Sequence, residues 1–238
     1  MSELVNGLVN ILIYFIVCAS SAALLRVTVK VPDELFRKLL HCILLGSLMI
    51  WTFCFETWWI SALVSIGFAA IVYPILALAE RIKGYSELLT ERKGGELKHS
   101  LLLVFGMFAV VIAVCWGWLG DKVLVLASVY AWGFGDAAAA LIGKRFGRHG
   151  MEGKHIEGRK SVEGCLAMFG VSFASVFIIL MLRGGMGAFL YMVIALITAA
   201  VATIVELFSL KGNDTVTCPL AAVAVLILQL YLVGGLSV

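Results

Sequence analysis

Residues 186–208 read MGAFLYMVIALITAAVATIVELF, a run in which Glu206 is the one charged group. A helix needs about 20 mostly apolar residues to cross the hydrocarbon of a bilayer. A buried strand needs far fewer, about 4–8. The run is therefore read as a membrane-spanning helix, and it sets the terms for the rest of the chain.

Working outward, seven further stretches have the same character: 4–25, 39–55, 57–79, 101–118, 123–143, 162–182 and 216–236. The span at 39–55 is short and almost abuts the next at Glu56-Thr57. The first span does not read as an obvious cleavable signal, because Met1-Ser2-Glu3 brings no positive charge and the apolar run is long. The chain of 238 residues is 62% hydrophobic and 14% charged, and its mean hydropathy is +1.06. Soluble domains run near half apolar and a quarter charged. That excludes a disordered chain, a collagen and an ordinary water-soluble enzyme. A membrane β-barrel would alternate polar and apolar residues in short segments. The expected fold is all-α: a polytopic transmembrane helical bundle of about eight spans, forming one integral membrane domain over residues 1–238. The loops are too short for a separate soluble domain.

The cysteines (Cys18, Cys42, Cys54, Cys115, Cys165, Cys218) all lie in these spans, and none forms a CxxC pair. They read as small apolar packing residues, with neither a disulfide framework nor a zinc site.

Lys and Arg orient a membrane protein. Of the 18 present, all but Lys122 and Arg183 fall in the odd-numbered loops. Those loops are expected to face the cytoplasm, with both termini on the other side. The four histidines, His41, His99, His149 and His155, fall on the same face. His41 and His99 stand near helix starts beside Lys38 and Lys98 and read as interfacial. Glu56 and Asp121 lie at turns on the opposite face and read as solvated.

Carboxylates within a bilayer are costly and point to function. Asp136 precedes Lys144 by eight residues, about 12 Å along a helix. Gly133 and Gly135 offer a place for that helix to break over a buried site, and the alanines that follow allow close helix approach. Glu206 lies near the end of its span, and Asp214 follows in Gly212-Asn213-Asp214-Thr215. Asp214 suits either a metal ligand or a helix N-cap.

Residues 144–160 read KRFGRHGMEGKHIEGRK, and Lys160-Ser161-Val162-Glu163-Gly164 opens the next span. Glycines let backbone amides approach an anion, Lys144 and Arg145 supply charge, and a helix N-terminus favours phosphate. Ser161 suits a cap or a phosphate contact. No Walker A, HExxH or GxSxG pattern occurs. Carboxylates hold Mg²⁺, and Mg²⁺ with basic residues holds nucleotide phosphates. A water-soluble nucleotide and a membrane lipid would meet at this boundary.

The run GDAAAALIGKRFGRH at 135–149, then KSVEG at 160–164 with AMF behind it, resembles the CTP-dependent lipid kinases. That family includes dolichol, phytol and CTP-dependent diacylglycerol kinases. RKLLH at 37–41 resembles its upstream element, and Glu206 with Asn213-Asp214-Thr215 and Pro219 its downstream one. The order Asn213-Asp214 departs from the Asp-Asn of that pattern. The resemblance covers about residues 35–225. It implies CTP as phosphoryl donor, a divalent cation and a lipid hydroxyl as acceptor, with no nucleic-acid partner. On that reading Asp136, Asp214 and Glu206 hold metal, with Asp214 or Glu206 serving as general base. Arg37, Lys38, Lys144 and Arg145 hold phosphates. Lys160, Ser161, Glu163 and Gly164 hold the transferred group. The central motif also resembles phosphatidate cytidylyltransferase, whose C-terminal signature is absent from this chain. A transporter is the rival from another class, but the halves show no repeat and the polar residues gather at one face. The expected location is a bacterial plasma membrane, with the site facing the cytoplasm.

Overall fold

Among the described residues, eight helices are long and apolar enough to cross a membrane, as the apolar runs predict. The computed structural model describes residues 2–81, 96–151, 153, 156, 160–209 and 212–236. The helices are α1 (Ser2–Thr28), α2 (Asp33–Phe53), α3 (Trp58–Ala79), α4 (Glu96–Val111), α5 (Lys122–Phe146), α6 (Val162–Arg183), α7 (Ala188–Phe208) and α8 (Asp214–Leu232). α4 runs on as a π-helical stretch, Ile112–Trp118. The chain divides into two compact units within that stretch, Met1–Ala113 and Val114–Val238. None of the six cysteines forms a disulfide.

Several helices outrun the apolar segments. Arg37 and Lys38 lie inside α2, and Lys144 and Arg145 in the last turn of α5, rather than in loops. Long basic side chains carry their charge to the interface while the backbone stays helical. His41 consequently lies in the third turn of α2 and not at its start.

The first unit is built on aromatic rings. Phe15 stacks on Phe68 at 5.1 Å, and Phe105 meets Phe68 edge-on at 5.1 Å and Trp51 at 5.8 Å. The Glu3 carboxylate accepts from the backbone N–H groups of Glu56 and Thr57, both at 2.8 Å, and so braces the entry to α3. Glu56 itself is exposed, as expected.

The second unit is a four-helix bundle in which α5 packs on α6, α7 and α8. Residues Leu124 to Gly133 of α5 are buried on every side, the mark of a central helix. Lipid is as apolar as these side chains, so association rests on close packing and hydrogen bonds rather than water exclusion. Small residues provide the closeness. A Cβ on Gly135 would stand 2.3 Å from Ser172 Oγ, and that hydroxyl donates to the Ala131 carbonyl at 2.5 Å. A Cβ on Gly164 would stand 3.1 Å from the Ala139 carbonyl and 3.4 Å from Gly143 Cα. Gly133 and Gly135 thus do not break α5, which is continuous. The helix needs Gly135 as part of the surface on which α6 lies.

Asp121 corrects its expected role as a solvated residue. It is the N-cap of α5, accepting from Val123 N at 3.0 Å and Leu124 N at 3.3 Å. Its second oxygen pairs with Arg183 at 2.5 Å, and Arg183 also donates to the Gly235 carbonyl at 2.8 Å. An unpaired charge at that depth is costly, so turn residues from distant segments find each other.

Candidate functional site

At one end of the second unit α5 finishes, α6 begins, α7 finishes and α8 begins. Each contributes polar groups. α5 brings Asp136 and, a little over two turns on, Lys144 and Arg145. Asp136 is half-buried, whereas Lys144 and Arg145 are exposed.

Between α5 and α6 the chain forms a short antiparallel ladder, β1 (Gly150–Met151) with β2 (Lys160–Ser161). The expected basic residues Lys154, His155 and Arg159 of this loop, and Lys211 of the next, lie outside the described residues. Ser161 is the N-cap of α6 and accepts from Gly164 N at 3.2 Å. Its hydroxyl is seated against glycine. A Cβ on Gly147 would stand 2.7 Å from Ser161 Oγ. The N–H of Val162 donates to the His149 carbonyl at 3.0 Å. Two of the amides at the start of α6 are therefore satisfied within the chain. Glu163 holds the same turn from outside: its carboxylate meets His149 Nδ1 at 2.7 Å and accepts from His149 N at 3.3 Å. Glu163 and Gly164 both shape this loop and the start of α6.

Lys160 reaches in the opposite direction. Its ammonium lies 3.0 Å from Glu206 Oε1 and donates to the Glu206 and Leu207 carbonyls, the latter at 3.2 Å. A lysine has three N–H donors, and these three acceptors match them. Lys160 thus satisfies the carbonyl end of α7 and neutralises Glu206 together.

α8 opens on Asn213 as N-cap, so Asp214 is its first helical residue and not the cap. Gly212 turns the chain into it with φ at +76°. Ser209 Oγ and Thr217 Oγ1 lie 2.8 Å apart and brace this turn. Asp214 Oδ2 accepts from the indole N–H of Trp132 at 3.3 Å. The Glu206 carboxylate is in electrostatic range of Lys160, Asp136 and Asp214. Three carboxylates read from separate motifs are thus brought together from α5, α7 and α8.

Among the described residues no group of three or more His, Cys, Asp and Glu is close enough to form a metal cage. That arrangement still suits Mg²⁺, which typically takes one or two protein carboxylates and completes its shell with water and substrate phosphate. Arg37, Lys38 and His41 belong to α2 of the first unit. Arg37 pairs there with Glu34, and Lys38 is buried. His99 stacks edge-on with Tyr73 at 6.1 Å beside the Lys98–Glu80 pair at 2.5 Å.

Sequence reasoning passed over Trp132. The available signal was its spacing, since residues four apart share a helix face and Asp136 follows by four.

No protein-family model and no solved structure matches the chain. A phytol kinase of Synechocystis sp. is 30% identical over 203 residues, covering 80% of this chain and 77% of the relative. With that identity and coverage, spanning both Asp136 and most of the eight helices, the chain belongs to the phytol kinase family of membrane lipid kinases.

Proposed function

We propose that the chain transfers the γ-phosphate of CTP to the hydroxyl of a membrane lipid, a long-chain alcohol of the phytol kind, at the cytoplasmic face of a bacterial plasma membrane. The observation that carries the reading is that Asp136 and Asp214 both lie in electrostatic range of Glu206, in the half of the bundle where α5 ends on Lys144 and Arg145. Like charges repel, and a purely structural helix end has no use for three carboxylates. Hard oxygen ligands beside basic residues are what a nucleotide with its divalent cation requires.

Asp136, with Asp214 or Glu206, would hold Mg²⁺, which supplies charge neutralisation on the phosphates when bound. Lys144 and Arg145 bind phosphate oxygens. Lys160 fixes Glu206 in place. Asp214 or Glu206 takes the proton of the lipid hydroxyl as its oxygen bonds to the γ-phosphorus and the bond to the β-phosphate oxygen breaks. The apolar spans hold the lipid tail in the bilayer. The phosphatidate cytidylyltransferase reading draws no support from the relative, which is a kinase.

The test uses purified protein, Mg²⁺, and CTP labelled at the γ-phosphate or at the cytosine, with phytol, polyprenol, diacylglycerol or phosphatidate. The expected result is γ-label on a lipid alcohol. Cytosine label on phosphatidate would replace the kinase with the cytidylyltransferase. No transfer of either label, with no CTP binding, would overturn the nucleotide reading.

A further inference from the structure

We infer that Trp132 is a positioning residue for Asp214, an inference that rests on the kinase reading of the site. Trp132 is 1% exposed, and an indole N–H buried without a partner is costly. Its partner is Asp214 Oδ2 at 3.3 Å, across 82 residues of chain. The bond joins the middle of α5 to the first turn of α8.

The chemistry of the donor matters. Two cationic or neutral kinds of donor are available to orient a buried carboxylate. A lysine or arginine would neutralise it and compete with any cation, as Lys160 does at Glu206. An indole is a donor only, and carries no charge. It orients Asp214 without itself neutralising the carboxylate. Four residues on, the same face of α5 carries Asp136. One rigid helix therefore presents its own carboxylate and holds a second one from another helix. Sites built on helices are held more accurately than sites on loops. Asp214 stands beside a turn set by Gly212 and benefits from such a hold.

Two measurements test this. In ¹⁵N-tryptophan-labelled protein the Trp132 indole resonance is assigned by its loss in W132F. It is expected to move in D214A, where its acceptor is gone. In the kinase assay W132F is expected to lower kcat roughly tenfold, the scale of a hydrogen bond to a charged group, with KM for the lipid alcohol unchanged. W132H, which keeps a ring N–H, is expected to recover part of the loss. In a D214A background W132F is expected to cost less than twofold further.

An indole resonance unmoved by D214A, or losses that multiply in the double variant, would overturn the inference. A D214A protein with undiminished kinase activity would overturn the reading of the site and this inference with it. An inactive D214A with an unmoved resonance would overturn the inference alone. Should W132F fail to fold, the effects of D214A and W132H on the indole resonances remain decisive.

Discussion

The two ends of the α5–α8 bundle solve the same problem differently. At one end Asp121 caps α5, pairs with Arg183, and Arg183 reaches the Gly235 carbonyl. One carboxylate meets one guanidinium, and the surplus donors go to backbone. At the other end Lys160 also joins a carboxylate and two carbonyls. There, however, Asp136 and Asp214 are drawn into range as well. The first end is closed by its own pairs. The second gathers like charges, which the proposed kinase reading explains by the cation they would hold.

The sharpest way to break this contrast is to remove a carboxylate from the second end. D136N is expected to reduce kinase turnover a hundredfold or more with an unchanged melting temperature in detergent, because charge positioning carries phosphoryl transfer. A D136N protein with wild-type turnover would make the two ends equivalent. Next in size, R183M should lower stability by about 3 kcal/mol, since it leaves Asp121 without its partner at a part-buried site. Turnover per folded molecule should stay within twofold, read by parallel unfolding and activity assays.

K160M is the intermediate case and should move both readouts. It removes the partner of Glu206 and uncaps α7, so E206Q added to K160M is expected to restore part of the lost stability but none of the activity. The smallest effect concerns the seam between α5 and α6. G164A places a Cβ 3.1 Å from the Ala139 carbonyl. It should cost about 1 kcal/mol by thermal unfolding, the scale of mild overpacking.

Much of this was legible in the sequence, and the failures have physical causes. Apolar length is a local property, so the spans were readable one at a time. Their ends were not, because Arg37, Lys38, Lys144 and Arg145 are charged residues that extend the helices beyond the apolar runs. The carboxylates Asp136, Glu206 and Asp214 stood out because a membrane makes each one expensive. Who meets whom was hidden. Asp121 looked solvated because its partner lies 62 residues away. Trp132 looked like one more apolar residue because the acceptor of its N–H, Asp214, lies 82 residues away. Lys160 and Glu163 read as anion ligands by motif, and the partners their charges meet, Glu206 and His149, lie too far along the chain to be read from it.

The separations behind those pairs also bear on synthesis. Lys160 meets Glu206 across 46 residues, and Trp132 meets Asp214 across 82. The ribosome delivers α5 first, and pairs this distant close late. Trp132 and Lys160 therefore leave the translation machinery well before their acceptors exist. The bundle's small-residue seam is assembled from neighbours, whereas its reactive end is completed by α8. A nascent chain halted before residue 214 would pack α5 against α6 and still lack the acceptor for Trp132.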